Sequence, residues 1–63
     1  MYQKIASLVK ENNMTISELS RQTGIAETVF SNLKNRQGNL SVDNAVKVAR
    51  FFGVSIEDLL SDE

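Results

Sequence analysis

The sequence predicts an all-α fold, a compact arrangement of five short helices with a helix-turn-helix at its centre. Apolar residues recur at spacings of three and four along the chain, and no stretch alternates as a strand would. Two segments carry the pattern of a capped helix start, at Thr15 and at Ser55. The chain has 63 residues, so residues 1–63 are expected to form one domain. A domain of this size buries only about 60% of the surface that its unfolded chain exposes.

The first helix is predicted from Tyr2 to Asn12. Three apolar residues share one side of it at positions i, i+3 and i+4: Ile5, Leu8 and Val9. Asn12 and Asn13 are expected to end the helix, because asparagine tolerates the left-handed conformation that a C-cap needs.

The second and third helices follow closely. Thr15 to Glu18 forms a capping box, in which the Thr15 hydroxyl accepts from the third helical amide and Glu18 reaches back to the Thr15 amide. This helix is expected to stop at Gly24, where glycine takes a positive φ without a Cβ penalty. The third helix runs from Glu27 to about Asn35. One of its faces is predicted to be core: Val29, Phe30 and Leu33.

The last two helices are also bounded by caps. Ser41 caps the fourth helix and Gly53 ends it. Its predicted apolar face holds Val42, Ala45, Val48, Ala49 and Phe52. Ser55 begins a short fifth helix, whose apolar side carries Leu59 and Leu60.

The composition excludes several classes of function. The chain has neither Cys nor His, which removes disulfides, Cys/His zinc sites, thiol nucleophiles and imidazole bases. It has no glycine-rich phosphate loop and no calcium-loop spacing. We therefore expect no enzyme activity, no cofactor, no metal and no small-molecule ligand. No apolar run is long enough to cross a bilayer and no signal-peptide pattern opens the chain, so we expect a cytoplasmic protein with no membrane partner.

The charge is divided unevenly along the chain. The net charge is −1 and the isoelectric point is near 5.3, whereas nucleic-acid-binding domains are usually basic. Residues 1–36 hold five basic and three acidic residues, a net charge of +2, and residues 37–63 hold two basic and five acidic residues, a net charge of −3. This division allows a basic face and an acidic edge on one small domain, although a mixed solvated surface is equally compatible with it.

Residues 15–35 carry the functional prediction. A helix-turn-helix needs a small residue where its helices cross and favours glycine four residues later in the turn. Ser20 and Gly24 meet these requirements. The second helix turns a row of short polar side chains outward, as a helix that reads base edges in the major groove requires.

Several segments with defined spacing continue this pattern beyond the central motif. They are Ile5 and Leu8, residues 15–20, Gly24-Ile25, residues 30–33, Leu40-Ser41 and residues 48–60. In these segments the sequence resembles the Cro/repressor-type helix-turn-helix domain of phage repressors and many bacterial regulators, also known as the XRE-like or lambda-repressor-like domain. The resemblance implies a five-helix fold that binds double-stranded DNA, usually as a homodimer on a two-fold-related operator.

The resemblance also implies roles for individual residues. The recognition helix would span residues 26–34, with three main base-reading positions and two that flank them: Glu27, Thr28 and Asn32, flanked by Ala26 and Ser31. Phosphate contacts would come from the start of the second helix and from the end of the recognition helix: Thr15, Ile16, Ser17, Lys34, Asn35, Arg36 and Gln37.

An apolar patch near the C-terminus is a candidate dimer interface. Phe51 and Phe52 cannot both be fully buried, because Phe51 lies about 120° from the centre of the apolar arc on a 3.6-residue wheel. The predicted patch comprises Phe51, Val54, Ile56 and Leu60. Partial burial of Phe51 at the rim of the core is the alternative.

Three residues depart from the family pattern. Ile16 stands where the family often has a glutamine that bonds a phosphate and braces the recognition helix. Ala26 stands where a Ser or Thr cap is usual, and Glu27 brings a negative charge towards DNA. The sequence therefore predicts a DNA-binding transcriptional regulator that acts as a repressor, with a protein-interaction module such as an antitoxin or adaptor as the alternative.

Overall fold

A computed structural model describes residues 2–35 and 38–60, and within these ranges the chain forms five α-helices and no strand. The helices are α1 (Tyr2–Glu11), α2 (Ile16–Thr23), α3 (Glu27–Lys34), α4 (Val42–Phe52) and α5 (Ile56–Leu60). Helix α1 packs against α2, α3 and α5, while α2 also contacts α3 and α4, and α4 contacts α5. The predicted all-α fold is confirmed.

The helix boundaries follow from hydrogen bonds that the sequence predicts. The Thr15 hydroxyl accepts from the Glu18 amide at 3.1 Å, and the Thr15 amide donates to the Glu18 carboxylate at 3.2 Å, which completes the capping box. The Ser41 hydroxyl caps α4 by accepting from the Asn44 amide at 3.2 Å. Each cap satisfies an amide that has no partner inside its own helix.

Left-handed residues follow three of the helices. Asn13 has a φ of 54° just after α1, and Gly24 and Gly53 follow α2 and α4 with φ values of 76° and 70°. The predicted ends are therefore correct to within a residue: α1 ends at Glu11 rather than Asn12, and α3 ends at Lys34 with Asn35 as its C-cap.

The core is apolar and draws on every helix. Its largest fully buried side chains come one from each helix: Phe30, Ile5, Leu19, Leu59 and Val48. Among the described residues no polar or charged side chain is buried. Phe30 alone of the predicted core face of α3 is fully enclosed, because Val29 and Leu33 lie at the edge of the cluster and are partly buried.

One predicted core residue is exposed. Val42 was expected on the apolar face of α4, but 77% of its surface is accessible. It is the first residue of the helix, and side chains there tilt towards the N-terminus and away from the packed turns. Leu40, one residue before the cap, is buried instead.

Replacing Gly24 with alanine should destabilise the protein by about 1–2 kcal/mol, the cost of a left-handed residue that carries a Cβ. A Cβ at Gly24 would meet nothing within 4 Å, so the loss would come from the backbone alone. Gly38→Ala is the matched control, because Gly38 does not have a positive φ and its Cβ would make an ordinary 3.5 Å contact. Urea unfolding followed by circular dichroism measures both. Equal losses would contradict this explanation of the turn.

Candidate nucleic-acid interface

The turn between α2 and α3 is held by side-chain hydroxyl groups. The Ser20 hydroxyl donates to the Ile25 carbonyl, and the Thr23 hydroxyl donates to the Leu19 carbonyl at 2.7 Å. The Gly24 amide also donates to the Ser20 carbonyl at 2.9 Å. These bonds, together with the buried side chains of Leu19 and Ile25, fix the direction in which α3 leaves the turn. The sequence predicted Ser20 only as a small residue at the helix crossing. Its hydrogen bond to the Ile25 carbonyl was not predicted.

Helix α3 presents a continuous polar face. The four predicted base-reading residues within the helix are all exposed: Glu27, Thr28, Ser31 and Asn32. They occupy positions i, i+1, i+4 and i+5, which share one side of a helix. Phe30 anchors the opposite side, with none of its surface accessible. The helix is therefore fixed to the core on one side and open to a partner on the other.

Ala26 lies immediately before this helix. It is the N-cap residue, with φ −61° and ψ 143°, and no side-chain hydrogen bond caps the helix. The predicted recognition segment 26–34 thus consists of one extended residue and a helix that begins at Glu27. Ala26 is exposed beside the polar face, where its methyl group is available for apolar contact.

Glu27 is linked to the start of α2. The Ser17 hydroxyl donates to the Glu27 carboxylate at 3.4 Å. This contact joins the N-terminal ends of α2 and α3 across the turn and holds one Glu27 oxygen on the α2 side. The link was not predicted from the sequence, because the two residues lie ten positions apart and no periodic pattern connects them.

The predicted phosphate-contacting residues lie in two places. At the start of α2, Thr15 and Ser17 are exposed and Ile16 is half-buried. The Thr15 amide is engaged by Glu18, so the first helical amides, which lack intrahelical acceptors, are the ones left to face a phosphate. Lys34 and Asn35 are exposed at the far end of α3. Arg36 and Gln37 lie outside the described residues.

Gly38 lies close to the polar face of α3. An ideal Cβ on Gly38 would be 3.5 Å from the Asn32 Cβ. The backbone at Gly38, between α3 and α4, is therefore next to the residue predicted to read a base.

A groove of about 430 Å³ opens beside the same face. It lies between the starts of α1 and α2 and the length of α3, and it is lined by Tyr2, Ile16, Glu27, Thr28, Phe30, Ser31 and Lys34. Sequence reasoning did not assign Tyr2 to this site, since the residue lies at the chain start and only the fold brings it near α3.

The predicted dimer patch is largely exposed. Phe51, Ile56 and Leu60 have 42%, 38% and 55% of their surfaces accessible. Val54 differs from them because it is half-buried and packs against the core. The rings of Phe51 and Phe52 meet edge to face with centroids 5.1 Å apart, and Phe52 packs on the core. Phe51 thus packs against the half-buried ring of Phe52 and keeps one side exposed.

Two further features of the described residues concern other functions. Residues 2–35 and 38–60 hold no group of three or more Asp or Glu side chains placed to bind a metal ion. In the same ranges, no helix has the length and apolar character needed to span a membrane.

The exposed polar face, the capped α2 and the tight turn together form a helix-turn-helix. A model of the Cro/C1-type HTH DNA-binding domain matches residues 4–63. The chain belongs to the Cro/C1-type helix-turn-helix DNA-binding domains. Neither a curated protein nor a solved structure shows a significant match. As a Cro/C1-type domain, the protein is a regulator that binds double-stranded DNA. Its family is typically not enzymatic.

Proposed function

We propose that this Cro/C1-type protein is a sequence-specific transcriptional repressor that binds its operator as a homodimer. The observation that carries the proposal is the exposed polar face of α3, anchored from behind by the fully buried Phe30. The major groove admits an α-helix and is read by hydrogen bonds to base edges. A rigid helix with short polar side chains on its open side is suited to this task.

The base-reading residues are assigned by their hydrogen-bonding chemistry. Asn32 pairs through its amide with N6 and N7 of an adenine, and Glu27 accepts from N4 of a cytosine. Thr28 and Ser31 bond base edges through their hydroxyls, and Ala26 makes apolar contact beside them. Since Ser17 holds one oxygen of the Glu27 carboxylate, the other oxygen is the acceptor in this proposal.

The phosphate contacts bracket the recognition helix. Lys34 and Asn35, with Arg36 and Gln37 after them, grip the backbone at one end of α3. The amides of Ile16 and Ser17 do so at the start of α2, where the helix dipole favours a negative group. These contacts set the register of the protein on DNA and carry no sequence information.

The dimer forms through the exposed apolar residues near the C-terminus. Phe51, Ile56 and Leu60 are accessible, and Val54 contributes its exposed edge. A patch that pairs with itself about a two-fold axis places two copies of α3 in successive major grooves, about 34 Å apart. Occupation of a promoter by such a dimer blocks transcription, and the protein acts in the cytoplasm of a bacterial cell or phage-infected host.

Salt dependence of DNA binding tests the proposed function. Anisotropy titrations against a duplex enriched from a random pool, at several salt concentrations, should give a log–log slope of about −0.9 per phosphate contact. A slope of zero, or no enriched duplex, would contradict it and favour a protein-interaction module such as an antitoxin or adaptor. The excess of acidic residues in the second half of the chain and the carboxylate of Glu27 on the polar face are the features that favour this second function.

Leu60→Glu should convert the dimer into a folded monomer. The Leu60 side chain is 55% exposed in the single chain, so a charge there costs the monomer little but is buried and unpaired across a two-fold interface. Sedimentation at tens of micromolar protein measures the mass. Val42→Glu is the matched control, because Val42 is an exposed aliphatic residue outside the patch and its variant should stay dimeric. A wild type that sediments as a 7.0 kDa monomer, or a dimeric Leu60→Glu, would contradict the interface.

A further inference from the structure

The groove beside α3 has walls that differ in chemistry from the recognition face. Phe30 lies behind the groove with none of its surface accessible, and Ile16 lines the groove while also packing against the core. Tyr2 reaches the same groove from the start of α1. Thr28 and Ser31 belong both to the groove and to the exposed face of α3. The groove therefore offers apolar surface directly beside the polar groups that meet DNA.

Ile16 makes no hydrogen bond between α2 and α3, because its side chain has neither a donor nor an acceptor. In this protein the Ser17 hydroxyl and the Glu27 carboxylate make a link between the two helix starts at 3.4 Å. The isoleucine side chain cannot hydrogen-bond a phosphate, and it is left as an apolar surface within the groove.

The charge around this apolar surface disfavours a phosphate as its occupant. The Glu27 carboxylate also lines the groove, and it repels an anion placed inside the groove against the Ile16 side chain. In the major groove the apolar group on offer is the C5 methyl of a pyrimidine, which thymine carries and unmodified cytosine lacks. Aliphatic and threonine methyl groups are suitable contacts for it.

We propose that the groove formed by Tyr2, Ile16 and Thr28 receives the 5-methyl group of a pyrimidine in the operator. The proposal rests on the proposed DNA-binding function and names a specificity contact for it. Ile16 and the Tyr2 ring form the apolar walls, and the Thr28 methyl closes the side towards the recognition face. Thymine and 5-methylcytosine share the chemistry that this site recognises.

The test removes or adds one methyl group on the DNA and leaves the protein intact. In a duplex enriched from a random pool, each dT is replaced singly by deoxyuridine and each dC by 5-methyldeoxycytidine. Anisotropy titration should show one position per half-site where loss of the thymine methyl weakens binding about fourfold, the contribution of one buried methyl group. A gain of similar size at a 5-methyldeoxycytidine would instead identify methylated cytosine as the source.

Variants of the protein assign the effect to the groove. Ile16→Ala should reduce the fourfold ratio of the affinities for the thymine and deoxyuridine duplexes to below about twofold. The reason is that the contact with the thymine methyl group is lost. Tyr2→Ala, from the other wall, should also reduce it, which keeps the test valid if one variant folds poorly. Val42→Ala is the matched control: Val42, like Ile16, is an aliphatic first residue of a helix with a hydroxyl cap, and its ratio should stay at fourfold.

The outcomes separate this proposal from the function on which it rests. Salt-dependent binding with no methyl effect at any pyrimidine would overturn the groove proposal and leave the repressor function standing. A methyl effect that persists unchanged in both Ile16→Ala and Tyr2→Ala would also overturn it, since another residue would then read the methyl. Failure of the folded protein to bind any duplex would overturn both.

Discussion

Replacing Phe30 with alanine should remove roughly a third or more of the protein's free energy of unfolding. The Phe30 side chain is completely buried and is the largest in the core, and deletion of such a ring costs about 3–5 kcal/mol. A domain of this length has only about 3–9 kcal/mol of total stability, at 0.05–0.15 kcal/mol per residue. The melting temperature, followed by circular dichroism, should fall by roughly 12–40 °C, since each kcal/mol shifts it by about 4–8 °C in small domains.

Phe51→Ala is the matched control for this prediction. The same ring is removed from the same chain, but 42% of the Phe51 surface is already exposed. Since Phe51 belongs to the proposed dimer patch, the variants are compared at a concentration at which the chain is monomeric, and the loss there should stay below about 1.5 kcal/mol. Similar falls in melting temperature for the two variants would contradict the central position given to Phe30. Similar falls would also show that α3 is not anchored to the core mainly through Phe30.

Asn32→Ala should relax base preference at one position of each half-site by about 1–3 kcal/mol, the discrimination that one bidentate side chain provides. Asn32 is exposed on α3 and lies beside the backbone at Gly38, so the substitution should leave the fold intact. Anisotropy titrations against the operator and against its three single-base variants at each position measure the preference.

Lys34→Ala is the control that distinguishes a base contact from a phosphate contact. Lys34 is exposed in the last turn of α3, and its proposed partner is a phosphate. This variant should weaken binding to all sequences alike and reduce the salt slope by about one. Wild-type affinity and base preference in both variants would show that α3 does not face the DNA as proposed.

The sequence predicts the helices well, because their ends depend on local chemistry. Thr15 and Glu18 form their capping box with only residues 15–18 involved, and Gly24 and Gly53 take the positive φ that ends a helix. Such features need no knowledge of distant contacts. The family pattern then adds the packing of the helices, which periodicity alone does not fix.

The contacts between separate helices were beyond prediction. The Ser17–Glu27 link and the approach of Tyr2 to α3 depend on how α1, α2 and α3 are oriented in space. The exposure of Val42 depends on where the packed part of α4 begins, and its apolar character gave the opposite expectation. The roles of the polar residues on α3 remain predictions, because exposure is common to a reading surface and a solvated one.

Selection from a random double-stranded DNA pool shows whether the protein reads DNA sequence as a dimer. A homodimeric repressor should enrich a two-fold-related site whose half-sites lie about 10–11 base pairs apart, as a dimer with two recognition helices requires. Two copies of the chain should bind each enriched duplex. If the folded protein enriches no sequence, or if it binds every duplex with equal affinity, the proposal of a sequence-specific homodimeric repressor is contradicted.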